Sequence, residues 1–174
     1  VVFAAPAQSL EAAAAMARSR GVEVRLLGDA VEGEARDAAA AQAAMAQEIA
    51  AGRAPGDPPV LLLSGGELTV TRRGDGVGGP NAEFCLALAV ALSGASGIHA
   101  LACDTDGVDG AAEVAGAMIG PDTMARAAAL GLDPRAALEA NDSHGFFGRI
   151  GDQVVTGPTL TNVNDFRAVL IGTL

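Results

Sequence analysis

Short apolar runs alternate along this chain with longer segments of helical spacing, and the alternation predicts a layered α/β fold. Residues 60–63 (Val-Leu-Leu-Leu) form the clearest apolar run, of the kind that makes a strand buried on both faces. Residues 22–27, 98–103 and 167–171 read as strands too, 68–71 is a short alternating one, and residues 1–5 are expected to form one at the start. Between them, Ser9 is expected to cap a helix that runs to residue 18 or 19 and stops at Gly21. An alanine-rich helix is expected over residues 34–51 and another over 82–92, the latter with Asn81 as its N-cap. Gly120-Pro121-Asp122 opens a helix to residue 130, and Asp133 caps one that starts at Pro134. The rhythm implies one α/β domain over residues 1–174, with a mixed, mostly parallel sheet flanked by helices.

Composition narrows the picture. Half of the residues are hydrophobic but only five are aromatic, all Phe, so the core is built from Ala, Val, Leu and Ile. A net charge of −10 argues against a nucleic-acid surface, which wants clustered cations. Every basic side chain apart from two histidines is one of eleven arginines, so a phosphate here must meet Arg, a backbone N–H or a bridging metal ion. Cys85 and Cys103 lack metal-site spacing and read as free thiols of a cytoplasmic protein. No apolar run is long enough to span a membrane.

The chemistry-bearing residues cluster in loops that follow strands. Ser64-Gly65-Gly66-Glu67 breaks the first apolar run, and a second loop has glycines at 74, 76, 78 and 79 before a helix. Free N–H groups and a helix dipole pointing the same way would make an anion site there. The spacing is neither a dinucleotide G-x-G-x-x-G nor a P-loop. Asp104-Thr105-Asp106-Gly107-Val108-Asp109-Gly110 follows a buried strand, where open α/β sheets place ligands, and its carboxylates suit Mg²⁺. The alternative is a set of carboxylates capping local amides. Residues 156–165 are rich in hydroxyl and amide side chains and read as ligand-lining. His144 and His99 read as structural histidines, since no nucleophile motif accompanies them.

Four blocks, taken in order, carry a resemblance. They are Ser64-Gly65-Gly66-Glu67 with Thr69-Val70, Gly78-Gly79-x-Asn81-x-Glu83, Thr105-Asp106-Gly107-x-Asp109-Gly110, and Thr156-Gly157-Pro158-Thr159-x-Thr161-Asn162-Val163-x-Asp165. Together they resemble the C-terminal MOFRL domain of the type-2 glycerate kinases, whose members are often labelled hydroxypyruvate reductase. The resemblance implies a cytoplasmic enzyme that moves the γ-phosphoryl group of ATP to the 2-hydroxyl of D-glycerate with Mg²⁺. It also implies a C-terminal fragment of a two-domain protein, with the active site in the cleft and a functional lysine on the N-terminal domain. On that reading Gly65, Gly66, Glu67, Gly78, Gly79, Asn81, Thr156, Gly157, Thr159 and Asn162 line the substrate and nucleotide site. Asp106 and Asp109 would be the catalytic, metal-binding pair, and a homodimer is left open. The alternatives are an NAD(P)H-dependent hydroxypyruvate reductase and an inert MOFRL module.

One block departs from the pattern. The family reads Gly-Gly-Arg-Asn-Gln-Glu, whereas Pro80 and Ala82 stand here in place of the Arg and the Gln. Phosphoryl transfer leans on cations, so the loss of that Arg implies a weakened member or a role taken over by Arg72 or Arg73. The isolated chain is expected to be inactive.

Overall fold

A computed structural model of the chain describes residues 5–110 and 112–173. The expected strand at residues 1–5 falls almost wholly outside them. The chain runs α1 (Pro6–Ser19), β1 (Glu23–Gly28), β2 (Gly33–Glu34), α2 (Ala35–Gly52), β3 (Val60–Gly66), β4 (Leu68–Thr69) and α3 (Pro80–Leu92). It continues β5 (Ile98–Asp104), β6 (Gly116–Ile119), α4 (Thr123–Ala129), α5 (Pro134–Glu139), α6 (Ser143–Ile150), β7 (Gln153–Val154) and β8 (Asp165–Ile171).

The main sheet has the order β1-β3-β8-β5-β6-β7 and is mixed, as expected. Four of its strands, β1, β3, β5 and β7, share one direction. Of the adjacent pairs, however, only β1–β3 is parallel. The reason lies in the crossovers. The α2 crossover sets β3 directly beside β1, while the α3 crossover leaves a gap one strand wide between β3 and β5. β8 fills that gap antiparallel to both, pairing Val60–Gly66 with Ile171–Asp165 and Ile98–Asp104 with Ile171–Asp165. Four further elements were not expected from the sequence: the strands β2, β6 and β7 and the helix α6, Ser-His-Gly-Phe-Phe-Gly-Arg-Ile, whose glycines weaken any helical signal.

Helices cover the two faces unequally. α3 is buried nearly all round and packs between the sheet and α2, where Ala35, Ala39, Ala43 and Ala46 let the two axes approach closely. α4, α5 and α6 close the same side with Ala127, Leu138, Phe146 and Phe147. On the other face α1 lays Leu10 and Ala14 on Leu63. Helix starts differ from expectation in two places. α1 begins at Pro6 with Ala5 as its cap, because Pro at the first position is preset for the helix, and Ser9 lies inside it. α3 likewise begins at Pro80, which moves Asn81 from the cap to a buried position in the first turn. Asp133 caps α5 as expected, accepting from Arg135 N and Ala136 N.

The fully buried Phe84 stands at the centre of this core, between the sheet and α2. Phe84→Ala should lower stability by about 3–5 kcal/mol. Urea unfolding followed by circular dichroism checks this, and a loss below 1 kcal/mol would contradict the packing described.

Candidate functional site at the head of helix α3

The four sequence blocks meet in one buried chain of hydrogen bonds. At its centre the Asp109 carboxylate, 1% exposed, caps α3 from the far side of the sheet's edge loop. Its Oδ1 accepts from Asn81 N at 2.9 Å, and its Oδ2 accepts from Ala82 N at 2.8 Å. Asn81 Nδ2 donates to Asp109 Oδ1 (3.3 Å) and to Asp165 Oδ1 (2.7 Å), bridging two carboxylates. Asp165 Oδ2 accepts from Arg167 Nη1 at 2.9 Å, and Arg167 donates onward to the Gly65 carbonyl (2.6 Å) and to Ser64 Oγ (3.4 Å). Gln42 of α2 donates to the same hydroxyl at 3.1 Å. His144 Nε2 lies 3.1 Å from Asp109 Oδ2 and 3.2 Å from its carbonyl, so the buried histidine is structural, as read from the sequence. Arg167 is fully buried; burial pulls its guanidinium down, and Asp165 opposes that.

This arrangement corrects two expectations. The anion at the start of α3 is internal, because the Asp109 carboxylate takes the N–H groups that a phosphate would need. Asp109 is therefore a capping residue, with both oxygens engaged by α3, and it also borders an acid-walled cavity. Part of the glycine loop is also engaged within the chain. Gly74 N donates to Asn141 Oδ1, Gly76 N to the Ala140 carbonyl and Val77 N to Asp142 Oδ1. A Cβ on Gly79 would lie 2.4 Å from Asp109 Cγ, and one on Gly78 would lie 2.7 Å from Ser143 Oγ. Close packing is thus a reason for glycine at both positions that the sequence did not suggest. Gly65 and Gly66 are likewise set against neighbouring backbone: a Cβ on Gly66, at φ +105°, would sit 2.3 Å from Val31 N.

The other sequence-predicted residues form a second group. The loop of residues 156–164 folds onto the acidic loop: Asn162 Nδ2 donates to Asp106 Oδ2 at 3.2 Å, and Thr159 N to the Asp106 carbonyl at 3.0 Å. Thr156 Oγ1 donates to the Gly157 carbonyl, against which Gly107 is tightly packed. Asp106 Oδ1 accepts from Val108 N, and Asp104 Oδ1 from Asp106 N. Beside the first group lies a cavity of about 320 Å³ bordered by Glu67, Thr69, Pro80, Asp104, Asp109 and Asp165. Asp104 and Asp165 belong to the loops read from the sequence as Mg²⁺-binding and ligand-lining, but the structure places each at the end of a strand, opposite one another in the β5–β8 register. Burial first, then the like charges of Asp106 and Asp165, push the Asp104 carboxyl up to about 6, against the pull of the Asp106 N–H. Burial also raises Asp165.

Comparison with known proteins places these features. The MOFRL family pattern matches residues 60–165, from the start of β3 to the start of β8. The chain belongs to the MOFRL family. A relative from Agrobacterium vitis with the provisional name hydroxypyruvate reductase is 51% identical over 173 residues, 98% of this chain and 45% of the relative. The D-glycerate 2-kinase of Thermotoga maritima is 35% identical over 159 residues, 91% of this chain and 38% of the kinase. A crystal structure of glycerate kinase from Thermotoga maritima superposes with a TM-score of 0.91 at 34% identity, covering 96% of this chain and 40% of that one. The chain thus spans less than half the length of these MOFRL relatives. Cys85 and Cys103 are free, and no helix among the described residues is long and apolar enough to cross a membrane.

Two measurements separate the roles of the acidic residues. Asp109→Ala should cost about 2–4 kcal/mol, since it strips a buried cap and leaves its donors unpaired. Asp106→Asn, on a half-buried loop, should change stability by less than about 1 kcal/mol. Thermal melts that ranked the two the other way would refute the capping role.

The pH dependence of Asp104 has the opposite sign to that of a salt-bridged carboxylate. Its folded-state pKa lies above the unfolded value, so its contribution is full below about pH 4 and is lost as pH rises through about 6. Without divalent cation, Asp104→Asn should match the parent at pH 4 and exceed it at pH 7 by about 1 kcal/mol, allowing for solvent screening. Equal stabilities at both pH values would contradict it.

Proposed function

We propose that this chain is the C-terminal part of a two-domain glycerate 2-kinase, which transfers the γ-phosphoryl group of ATP to the 2-hydroxyl of D-glycerate in a cytoplasmic setting. The observation that carries the reading is the near whole-length correspondence, at 34% identity, with a glycerate kinase fold. The acid-walled cavity supports it. In this reading the cavity opens onto a cleft shared with an N-terminal domain, which would hold part of the nucleotide.

The residues present fit Mg²⁺ in a particular way. Among the described residues no three His, Cys, Asp or Glu side chains converge on one point. Mg²⁺ commonly takes one or two carboxylates and completes its shell with water and phosphate oxygens. Asp104 and Asp106 would hold it, and like-charge repulsion at Asp104 gives the pair a reason to favour a cation. Bound there, the ion would offset charge on the phosphoryl group. Asn162 holds the Asp106 carboxylate in place, Asn81 and Arg167 do so for Asp165, and Glu67 and Thr69 border the cavity. The reductase reading finds less support. The chain has no dinucleotide glycine fingerprint, and the amides of Gly74, Gly76 and Val77 in its glycine loop are spent on the turn at residues 140–142.

The complete polypeptide carrying this chain should form 2-phosphoglycerate from D-glycerate and ATP–Mg²⁺, followed by phosphorus NMR, while the 174-residue chain alone forms none. Asp106→Asn in the complete polypeptide should raise the Mg²⁺ midpoint roughly tenfold or more. Oxidation of NADH or NADPH with hydroxypyruvate, and no phosphoglycerate, would replace this reading by the reductase.

A further inference from the structure

The two faces of the main sheet are not equally covered. Helices α2 to α6 close the side that holds Phe84, while α1 lies on the other, packed on β1 and β3. Beyond α1 that second face is apolar. β8 alternates, with Arg167, Val169 and Ile171 buried on the first side and Ala168 and Leu170 half-buried on the second. Strand pairing sets the side chains in rows: Leu61 beside Leu170, and Ala168 beside Leu101, which lies beside Met118. These five line a cavity of about 380 Å³. Four are half-buried, and Met118 is 49% exposed. Leu63, in the same row as Ala168, is fully buried because Leu10 and Ala14 of α1 cover it. One helix thus buries its share of the rows and leaves five apolar side chains open to water.

A face of this kind marks a contact surface, since layered α/β sheets carry helices on both sides. Its dimensions suit one helix. Packed helices lie about 8–10 Å apart, roughly two strand spacings, so a helix beside α1 would rest over β8 and β5. Those strands have seven residues each, about 23 Å, the length of about 15 helical residues. The chain spans less than half the length of its relatives, in which more than its own length is joined to it. α1 is the first described helix and already lies on this face, so polypeptide joined ahead of it meets the sheet on this side. At the rim Asp122 and Asp152 share the one guanidinium of Arg126, which leaves a negative charge over. We infer that an amphipathic helix from the N-terminal part of the complete polypeptide docks here beside α1. Its apolar side covers Leu61, Leu101, Met118 and Leu170, and a Lys or Arg on its flank meets Asp122. The inference rests on the two-domain reading and names a surface that joins the two parts. That surface shares no lining residue with the acid-walled cavity.

The test is maleimide labelling of Met118→Cys, read by mass spectrometry in the complete polypeptide and in the 174-residue chain. The same proteins without the substitution give the background from other thiols. The introduced thiol should react readily in the 174-residue chain and about tenfold more slowly, or slower still, in the complete polypeptide. The protection should persist on dilution. Equal rates in the two overturn the inference. Protection that fades on dilution, together with a dimer in sedimentation, also overturns it and gives the face to a second copy. If the 174-residue chain fails to fold, Leu130→Cys in the complete polypeptide is the reference, since Leu130, at the end of α4, is 58% exposed. The thiol at 118 must then react about tenfold more slowly than the one at 130, and equal rates again overturn the inference. Product formation separates this contact from the kinase reading. Protection without 2-phosphoglycerate keeps the contact and removes the kinase. Phosphoglycerate formation with fast labelling does the reverse.

Discussion

The carboxylate of Asp109 at the start of α3 is the contact on which the rest of the structure depends. A helix buried on nearly every side has no water at its N-terminus, so its first N–H groups need partners from the protein. A charge supplied from the loop after β5 satisfies two of them and favours the helix dipole at the same time. Because Asn81 ties that carboxylate to Asp165, and Arg167 ties Asp165 to β3, the helix, the acidic loop and three central strands hold one another in register. Removing any member would leave a charge or a donor stranded in a low-dielectric interior, which is more damaging than never having built the chain of contacts.

Much of the fold was legible along the chain because its central strands announce themselves. Residues 60–63 and 98–103 are apolar runs, and the α2 helix is a long alanine-rich segment whose start and end were each read to within one residue. Neighbour relations were not legible. Nothing in the apolar pattern of residues 165–171 says that this strand inserts between β3 and β5 and pairs antiparallel with both. α6 was missed for a local reason: Gly145 and Gly148 lower its helical propensity, and packing of Phe146 and Phe147 into the core outweighs that loss.

The site was legible as a set of residues and misread as a set of roles. Glycine-rich loops before helices suggest bare N–H groups, yet here the loop of residues 74–78 lies so close to residues 140–143 that side chains would collide. Small residues can mark a protein–protein contact within one chain as well as a ligand. Which of the two applies depends on where a distant segment lands, and that is a tertiary fact. The same holds for Asp104 and Asp106, on either side of Thr105: Asp104 borders the cavity, whereas Asp106 accepts from Val108 N and Asn162 Nδ2.

The position of β8 also governs how the molecule must assemble. The strand that completes the middle of the sheet comes after all the others in the sequence, so β3 and β5 stay unpaired along their facing edges until residues 165–171 arrive. During synthesis the growing chain would hold two apolar strand edges open while its helices are already formed, the arrangement most prone to pairing with a neighbouring chain. Contacts of such long sequence separation form slowly. Folding of this domain is therefore expected to close from its far end inward, with the insertion of one strand as its last and committing event.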